Sequence, residues 1–323
     1  MYSIERYTAS NETLWNGFVS KAKNATFLFY RNFMDYHANR FHDHSLMIRK
    51  GDNLMALFPA NQDENMIWSH GGLTYGGLIL LPEIRLSDVI YGFQGVLQYY
   101  QALGIHELRV KTIPQIYHRQ PSDEIDYLMF KLEANRYRCD CLSVVSPTRL
   151  KYSRDRKQGI KRGNKNGLKV IEVSDFEEFW SQILIPNLES KHQSRPVHTL
   201  DEIRLLKTRF PEQIRQFNVY DSGGIIVAGT TIFDTERVAR SQYISGNTEK
   251  NNLGSLDLLH DYLLREVFPS KPYFDFGKSN EDEGRTINEG LLYWKEGFGA
   301  RSVAHDYFSV DPAMHVKLNG VFK

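Results

Sequence analysis

The alternation of apolar and polar positions divides the chain into short strands and amphipathic helices. Trp15, Phe18 and Val19 fall at helical spacing within Glu12 to Ala22, which predicts a first helix. Phe27 to Tyr30 reads as a short extended piece, followed by an amphipathic piece through Met34 and Tyr36. Ser45 to Arg49 and Asn53 to Pro59 form the arms of a predicted β-hairpin about Lys50-Gly51-Asp52, and Met66 to His70 is the next strand. A glycine-dense run, GGLTYGGLILL, comes after it; glycines so close together let a backbone approach a neighbour or a ligand, or accommodate a bulge. Ile90, Phe93, Val96, Leu97 and Tyr100 mark one side of a helix from about Asp88 to Leu103, with Ser87 as its cap and Gly104 as its stop. Glu107 to Thr112 is then a strand ended by Pro114.

The second half repeats this order. Asp175 to Leu184 reads as a helix carrying Phe176, Phe179 and Trp180, and Gln216 to Tyr220 and Ile225 to Phe233 are strands about Ser222-Gly223-Gly224. Val238 to Ser245 is a strand, Gly246 to Ser255 a polar loop, and Leu256 to Phe268 a helix with Leu259, Leu263 and Val267 in register. Tyr273 to Phe276 is a strand broken by Gly277. A polar loop from Lys278 to Arg285 leads to a helix with Ile287, Leu291 and Trp294 on one face, closed by Gly297 and Gly299, and Arg301 to Val310 is the last strand. One element order used twice, without obvious sequence identity, predicts a duplicated α/β (α+β) fold in which each copy is a mixed central sheet flanked by helices. The expected domains are 1–148 and 149–323, the second opening with a joining helix. A strand that ends in glycine with a helix beyond is where α/β proteins commonly collect ligands, so the stretch from Tyr273 to Val310 is the first candidate site.

Composition narrows the class. The 323 residues suit two domains, and 41% apolar and 24% charged residues are ordinary for a globular chain. The formal charge of +1 argues against a surface built throughout for polyanions. Basic residues are nevertheless concentrated: 149–169 holds nine Lys or Arg against the single acid Asp155, and Arg154, Lys157, Lys161 and Lys165 would line one side of a helix. That stripe either holds phosphates or is a solvated face. Cys139 and Cys141 lack CxxC spacing and read as unpaired thiols in a strand. His37, His42 and His44 with Asp43 lack a further ligand at a defined spacing, so no metal is expected. No apolar run approaches the ~20 residues of a membrane span, and the start lacks a signal-peptide core, so the expected compartment is the cytoplasm.

Several stretches together resemble the GNAT acyltransferase fold in tandem, as in the FemAB-like aminoacyl and acyl transferases. Tyr75-Gly76-Gly77 resembles their first-half glycine motif, and Arg154 with Ile160-Lys161-Arg162 and Gly167-Leu168 resembles the basic helix leading into their second half. Lys191-His192 and Pro196-Val197-His198 resemble the stretch before the second sheet. Phe274-Asp275-Phe276-Gly277-Lys278-Ser279 with Trp294-Lys295-Glu296-Gly297-Phe298-Gly299 resembles the closing pattern. Asn251-Asn252-Leu253-Gly254-Ser255 stands where ordinary GNAT acetyltransferases carry an Arg/Gln-x-x-Gly-x-Gly/Ala loop around a coenzyme A diphosphate.

The resemblance implies N-acyl or aminoacyl transfer to an amine of a sugar or peptide, such as a cell-wall or polysaccharide precursor. It implies acyl-CoA or aminoacyl-tRNA as donor co-substrate and no tightly bound cofactor. A tRNA contact through Arg149 to Lys169 goes with the second donor; a noncatalytic tandem module that binds a glycan precursor, peptide or tRNA is the alternative. By the same resemblance two central strands, at Gln242 to Ser245 and Tyr273 to Phe276, splay apart to expose backbone donors to the acyl group. The chain has no Gly-x-Ser-x-Gly elbow, which suits direct attack without a covalent intermediate.

The candidate catalytic residues are Asp275, Lys295, Tyr243 and His192. Asp275 could take a proton from the acceptor amine or simply cap its own loop. Lys295 could neutralise charge on the donor or be a solvated lysine. His192 could carry a proton, its ordinary pKa being ~6.5, or lie idle at the surface. The expected substrate-binding residues are Tyr75, Gly76, Gly77, Arg154, Arg162, Lys278 and Ser279. Here the two arginines match a diphosphate, and Tyr75 either stacks on a sugar or belongs to the core. Gly246, Asn252, Gly254 and Ser255 are the expected donor loop.

Overall fold

The computed structural model describes residues 2–323, apart from the side chains of Lys191 and His192. Two compact units form: one from Met1–Asp140, Glu283–Arg285 and Ala304–Lys323, the other from Cys141–Asp282 and Thr286–Val303.

In the first unit, Tyr2–Arg6, Leu46–Lys50, Asn53–Phe58 and Ile79–Leu80 lie side by side in an antiparallel sheet, the inner strands buried at consecutive positions. The hairpin turn is closed by Gly51 at φ 56°, a conformation that suits glycine. A second sheet orders His42–Asp43, Asn61–Asp63, Met66–Trp68 and Glu107–Lys111, with Tyr307 to Val310 beyond. The apolar stripe of the helix Leu86–Ala102 packs on this framework, with Phe93, Val96, Leu97 and Tyr100 in one core with Phe58, Leu108, Val310 and Leu318. That helix begins before Ser87, with Arg85 at its N-cap, and Asp88 in its first turn accepts from the Tyr2 hydroxyl at 2.5 Å and from Lys50 at 2.6 Å. Phe27–Phe29 is a buried 3-10 turn rather than an extended piece. Three successive buried side chains carry no period that could distinguish the two.

In the second unit the strand order is Lys169–Val173, Ile214–Tyr220, Ile226–Asp234, Val238–Gly246, Tyr273–Lys278 and then Leu142 to Val145. All neighbours are antiparallel except Val238–Gly246 and Tyr273–Lys278, which run parallel. On one face the helix Ser255–Tyr262 and the π-helical turn Leu263–Val267 bury Leu259, Leu263 and Leu264 against Phe217, Phe274 and Phe276. Trp180 belongs to a second π-helical turn, Trp180–Leu184, which leads into the helix Ile185–His192. The last helix, Glu289–Glu296, starts later than its apolar spacing suggests: Ile287 lies in a small ladder with Asn280, and the Asn288 side chain caps the helix by accepting from the Leu291 N–H at 3.0 Å.

Candidate active site

The parallel pair in the second unit is short. Val238 pairs with Tyr273, Ala239 with Phe274 and Arg240 with Asp275, and the ladder stops there. On its other edge Val238–Gly246 stays paired to Ile226–Asp234 through a bulge that leaves Gln242 without an opposite residue. The two strands therefore part just beyond Arg240 and Asp275. The fork opens into a cavity of about 720 Å³, lined on the strand side by Arg240, Ser241, Gln242, Phe276, Gly277 and Lys278.

Asp275 sits at the fork with none of its side chain exposed. One carboxylate oxygen accepts from Arg240 at 2.5 Å and the other from the Gly277 N–H at 2.7 Å. A carboxylate so engaged works as an anchor: it fixes Arg240 on one branch and the turn at Gly277, φ 74°, on the other. Lys295 reaches the same turn from the helix Glu289–Glu296 and donates to the carbonyl oxygens of Gly277 at 3.0 Å and Lys278 at 2.6 Å. Burial pushes its pKa down to about 7, with Asp275 pulling up and Arg240 pushing down more weakly. Near neutral pH the lysine is thus divided between ammonium and free amine, and the amine form can accept a proton.

The remaining expected residues are dispersed. Tyr243 is not among the cavity's lining residues; its hydroxyl meets His198 Nδ1 at 2.6 Å and its ring packs edge-on to Trp180. The side chain of His192 lies outside the described residues. Lys278 lines the cavity and is exposed, whereas Ser279 is buried beside Ser143. Arg154 and Arg162 are exposed on the helix Arg154–Lys165, as are Lys157, Lys161 and Lys165.

The opposite side of that helix carries Gly159 and Gly163, which press onto the start of the helix Ser255–Tyr262. A side-chain carbon on Gly254 would come within 2.2 Å of the Gly159 carbonyl oxygen. Gly246, Gly254 and Ser255 of the expected donor loop are buried, while Asn252 is exposed and donates to Glu249 at 2.8 Å. The first turn of Ser255–Tyr262 is occupied by Asp257, which accepts from Arg156 at 2.5 Å and from the Trp294 indole at 2.8 Å.

In the first unit Met66–Trp68 and Glu107–Lys111 also run parallel for a few residues, from Met66 opposite Glu107 to Trp68 opposite Arg109. That fork is filled by its own chain. Ser69 donates its N–H to Arg109 at 2.8 Å, the Lys111 N–H donates to Ser69 Oγ at 2.9 Å, and the Gly76 N–H donates to Lys111 at 2.9 Å. A side-chain carbon on Gly76 would meet the Ser69 carbonyl oxygen at 1.9 Å, so glycine is required there. Lys111, its pKa lowered to about 7 by burial, caps the carbonyls of Gly71 and Leu73. Gly77, φ 97°, continues this loop, and Tyr75 is a core tyrosine, hydrogen-bonded to Thr26 at 2.9 Å and packed on Tyr117. Among the described residues no group of three His, Cys, Asp or Glu is placed to hold a metal ion.

Sequence signals for part of the site existed but are weak in isolation. The bulge at Gln242, the arginine partner of Asp275 and Asn187, which lines the cavity from the helix Ile185–His192, carry no motif; the first two are defined only by strand register, and Asn187 by its helix's contact with Ser245 and Gly246.

No family model matches the chain, and no curated protein is similar to it in sequence. Solved structures are similar in fold. FemX shares 8% identity at a TM-score of 0.69, covering 98% of this chain and 99% of FemX. A tandem GNAT protein from the clavulanic acid biosynthesis pathway shares 10% identity at a TM-score of 0.56, covering 97% and 99%. The C-terminal domain of a putative lysylphosphatidylglycerol synthetase from Agrobacterium fabrum shares 12% at a TM-score of 0.59, covering 96% of each chain. Both halves of this chain, each with a parallel strand pair that parts after a few residues, are accordingly built on the tandem GNAT fold.

Proposed function

We propose that the second unit transfers an acyl or aminoacyl group to an amine of a sugar or peptide acceptor, by direct attack. The observation that carries this reading is the fork: parted parallel strands opening into a cavity, with the Arg240–Asp275 pair at its apex and a lysine of lowered pKa on its rim. The acceptor nitrogen attacks the donor carbonyl carbon, the new C–N bond forms, and the carbonyl oxygen gathers negative charge. Backbone N–H groups along Gln242 to Ser245 are the donors proposed for that oxygen. The bond to the leaving group then breaks. The proton lost by the amine passes to the free-amine form of Lys295 or to the departing group. The role of Asp275 in this scheme is to hold Arg240, since both its oxygens are already engaged.

The fold neighbours include FemX and a tandem GNAT protein, which supports this class of chemistry. A coenzyme A donor would have to place its diphosphate away from the first turn of Ser255–Tyr262, which the Asp257–Arg156 pair and the close-packed helix Arg154–Lys165 already occupy. A peptidoglycan or polysaccharide precursor as acceptor, and a tRNA contact through the exposed basic face of Arg154–Lys165, belong to the same proposal.

The test is a thermal-shift and turnover screen with acetyl-CoA, aminoacylated RNA hairpins and nucleotide-linked amino sugars. Any ligand that binds the native state raises its apparent stability. A saturable shift together with transfer to an amine is the expected result. Saturable binding with no transfer from either donor class would replace this reading with that of a noncatalytic binding module.

A further inference from the structure

Asn187 lies two residues into the helix Ile185–His192, just after the π-helical turn Trp180–Leu184, and lines the cavity. Its side-chain nitrogen donates to Ser245 Oγ at 2.8 Å and to the Gly246 carbonyl oxygen at 2.8 Å. The second bond settles which end of the amide is which. A backbone carbonyl can only accept, so the group facing Gly246 is the NH2, and two acceptors use both of its hydrogens. Asn187 Oδ1 makes no hydrogen bond to the described residues and is not among the buried unpartnered atoms. With its NH2 held by both bonds, Oδ1 is the acceptor left on this amide, its orientation fixed by them, in a residue that lines the cavity.

We infer that Asn187 is a substrate-binding residue whose Oδ1 accepts a hydrogen bond from an N–H or O–H group of the acceptor. This rests on the transferase reading and adds to it the kind of acceptor the cavity selects. The amide cannot take up a proton near neutrality, so it orients the acceptor without acting as a base. Asn187 is held against Ser245 and Gly246, on the strand that has just parted from Tyr273–Lys278, so its acceptor oxygen is tied to the branch that offers the backbone donors. A site that offers a fixed acceptor discriminates against analogues lacking the matching donor, because the protein group is then left unpaired.

Two variants separate binding from support. Asn187→Ala removes the acceptor oxygen and the two anchoring bonds. Asn187→Asp keeps an oxygen acceptor at the Oδ1 position but loses the donors to Ser245 and Gly246. Calorimetric titration of glucosamine and of the dipeptide alanyl-lysine into each protein is the primary readout, with acylation and melting temperature followed in parallel. One neutral hydrogen bond corresponds to a change of up to about tenfold in affinity. The expected result is roughly tenfold weaker binding of these amines to Asn187→Ala, with donor affinity unchanged. Asn187→Asp is expected to bind them at least as well as wild type while melting at a lower temperature. Equal amine affinity in wild type and Asn187→Ala overturns the inference, as does weakening that tracks melting temperature across both variants. Failure of the transferase reading has a different signature, binding of amines by wild type without acylation by any donor.

Discussion

At the scale of single residues the fork depends on how one lysine and one aspartate are satisfied. Lys295 donates to two carbonyl oxygens of the turn that Asp275 also holds, so the same side chain supports the parted strand and offers a proton acceptor. Its pKa of about 7 lies below the ordinary 10.5 because burial disfavours the ammonium form. The unfolded chain keeps the proton to higher pH, so between about pH 7 and 10.5 the unfolded state binds more protons and the stability contributed at this position rises with pH. If the amine form takes the acceptor's proton, kcat/KM should rise through pH 7 and level off above it. Lys295→Met should abolish that rise. It should also cost about 1–3 kcal/mol for each carbonyl left without its donor, read from denaturant unfolding. A pH profile in Lys295→Met parallel to that of wild type would remove the lysine from proton transfer.

At the scale of elements, most of the architecture was legible in the sequence, and the exceptions have physical causes. The helix Leu86–Ala102 was legible because one face is apolar at helical period, and the strands Ile226–Asp234 and Val238–Gly246 because each is a run of strand-forming residues long enough, and bounded by turn residues clearly enough, to be read without a one-face period. Phe27–Phe29 was not, because three residues buried on every side are too few to show a period or a length, and Ile287 was drawn into a helix by spacing that a short ladder also satisfies. The candidate site was legible only in part. Asp275 and Lys295 belong to a recognisable closing pattern, whereas Tyr75 beside its glycines went to the core, its place in the loop set by the close approach of Gly76 to Ser69.

The basic helix Arg154–Lys165 shows a different limit. Its charges suggest a role at the surface, but its two buried glycines determine how it packs. A side-chain carbon on Gly159 would lie 1.6 Å from Asp257 Oδ2. Alanine normally improves a helix interior by about 1 kcal/mol over glycine. Here Gly159→Ala should instead destabilise by roughly 1–3 kcal/mol, because Asp257 is fixed by Arg156 and Trp294 and cannot yield. The exposed Gln158→Ala in the same helix should be neutral or slightly stabilising, so paired chemical denaturation of the two variants isolates the packing term. A Gly159→Ala protein as stable as wild type would mean that the two helices are not held this closely.

At the scale of the whole molecule, chain order and compact units differ. The residues 304–323 belong with the first unit, although more than half of the chain separates them from its body. Tyr307 to Val310 pair with Glu107–Lys111, and Val310 and Leu318 are buried in the core beneath the helix Leu86–Ala102. Burying each such side chain is worth about 1.5–3 kcal/mol, against a typical domain stability of about 5–15 kcal/mol. A domain read as 1–148 would therefore lack part of its own core and leave the Glu107–Lys111 edge unpaired, which also invites association. The expected outcome for an expressed 1–148 fragment is a non-cooperative melt with dye-accessible apolar surface. Adding a peptide of residues 304–323 should restore a sharp transition and protect the Glu107–Lys111 amides from hydrogen exchange. If 1–148 alone melts cooperatively and the peptide changes nothing, the closing segment is dispensable to the first unit, and the boundary drawn after residue 148 describes an independent domain.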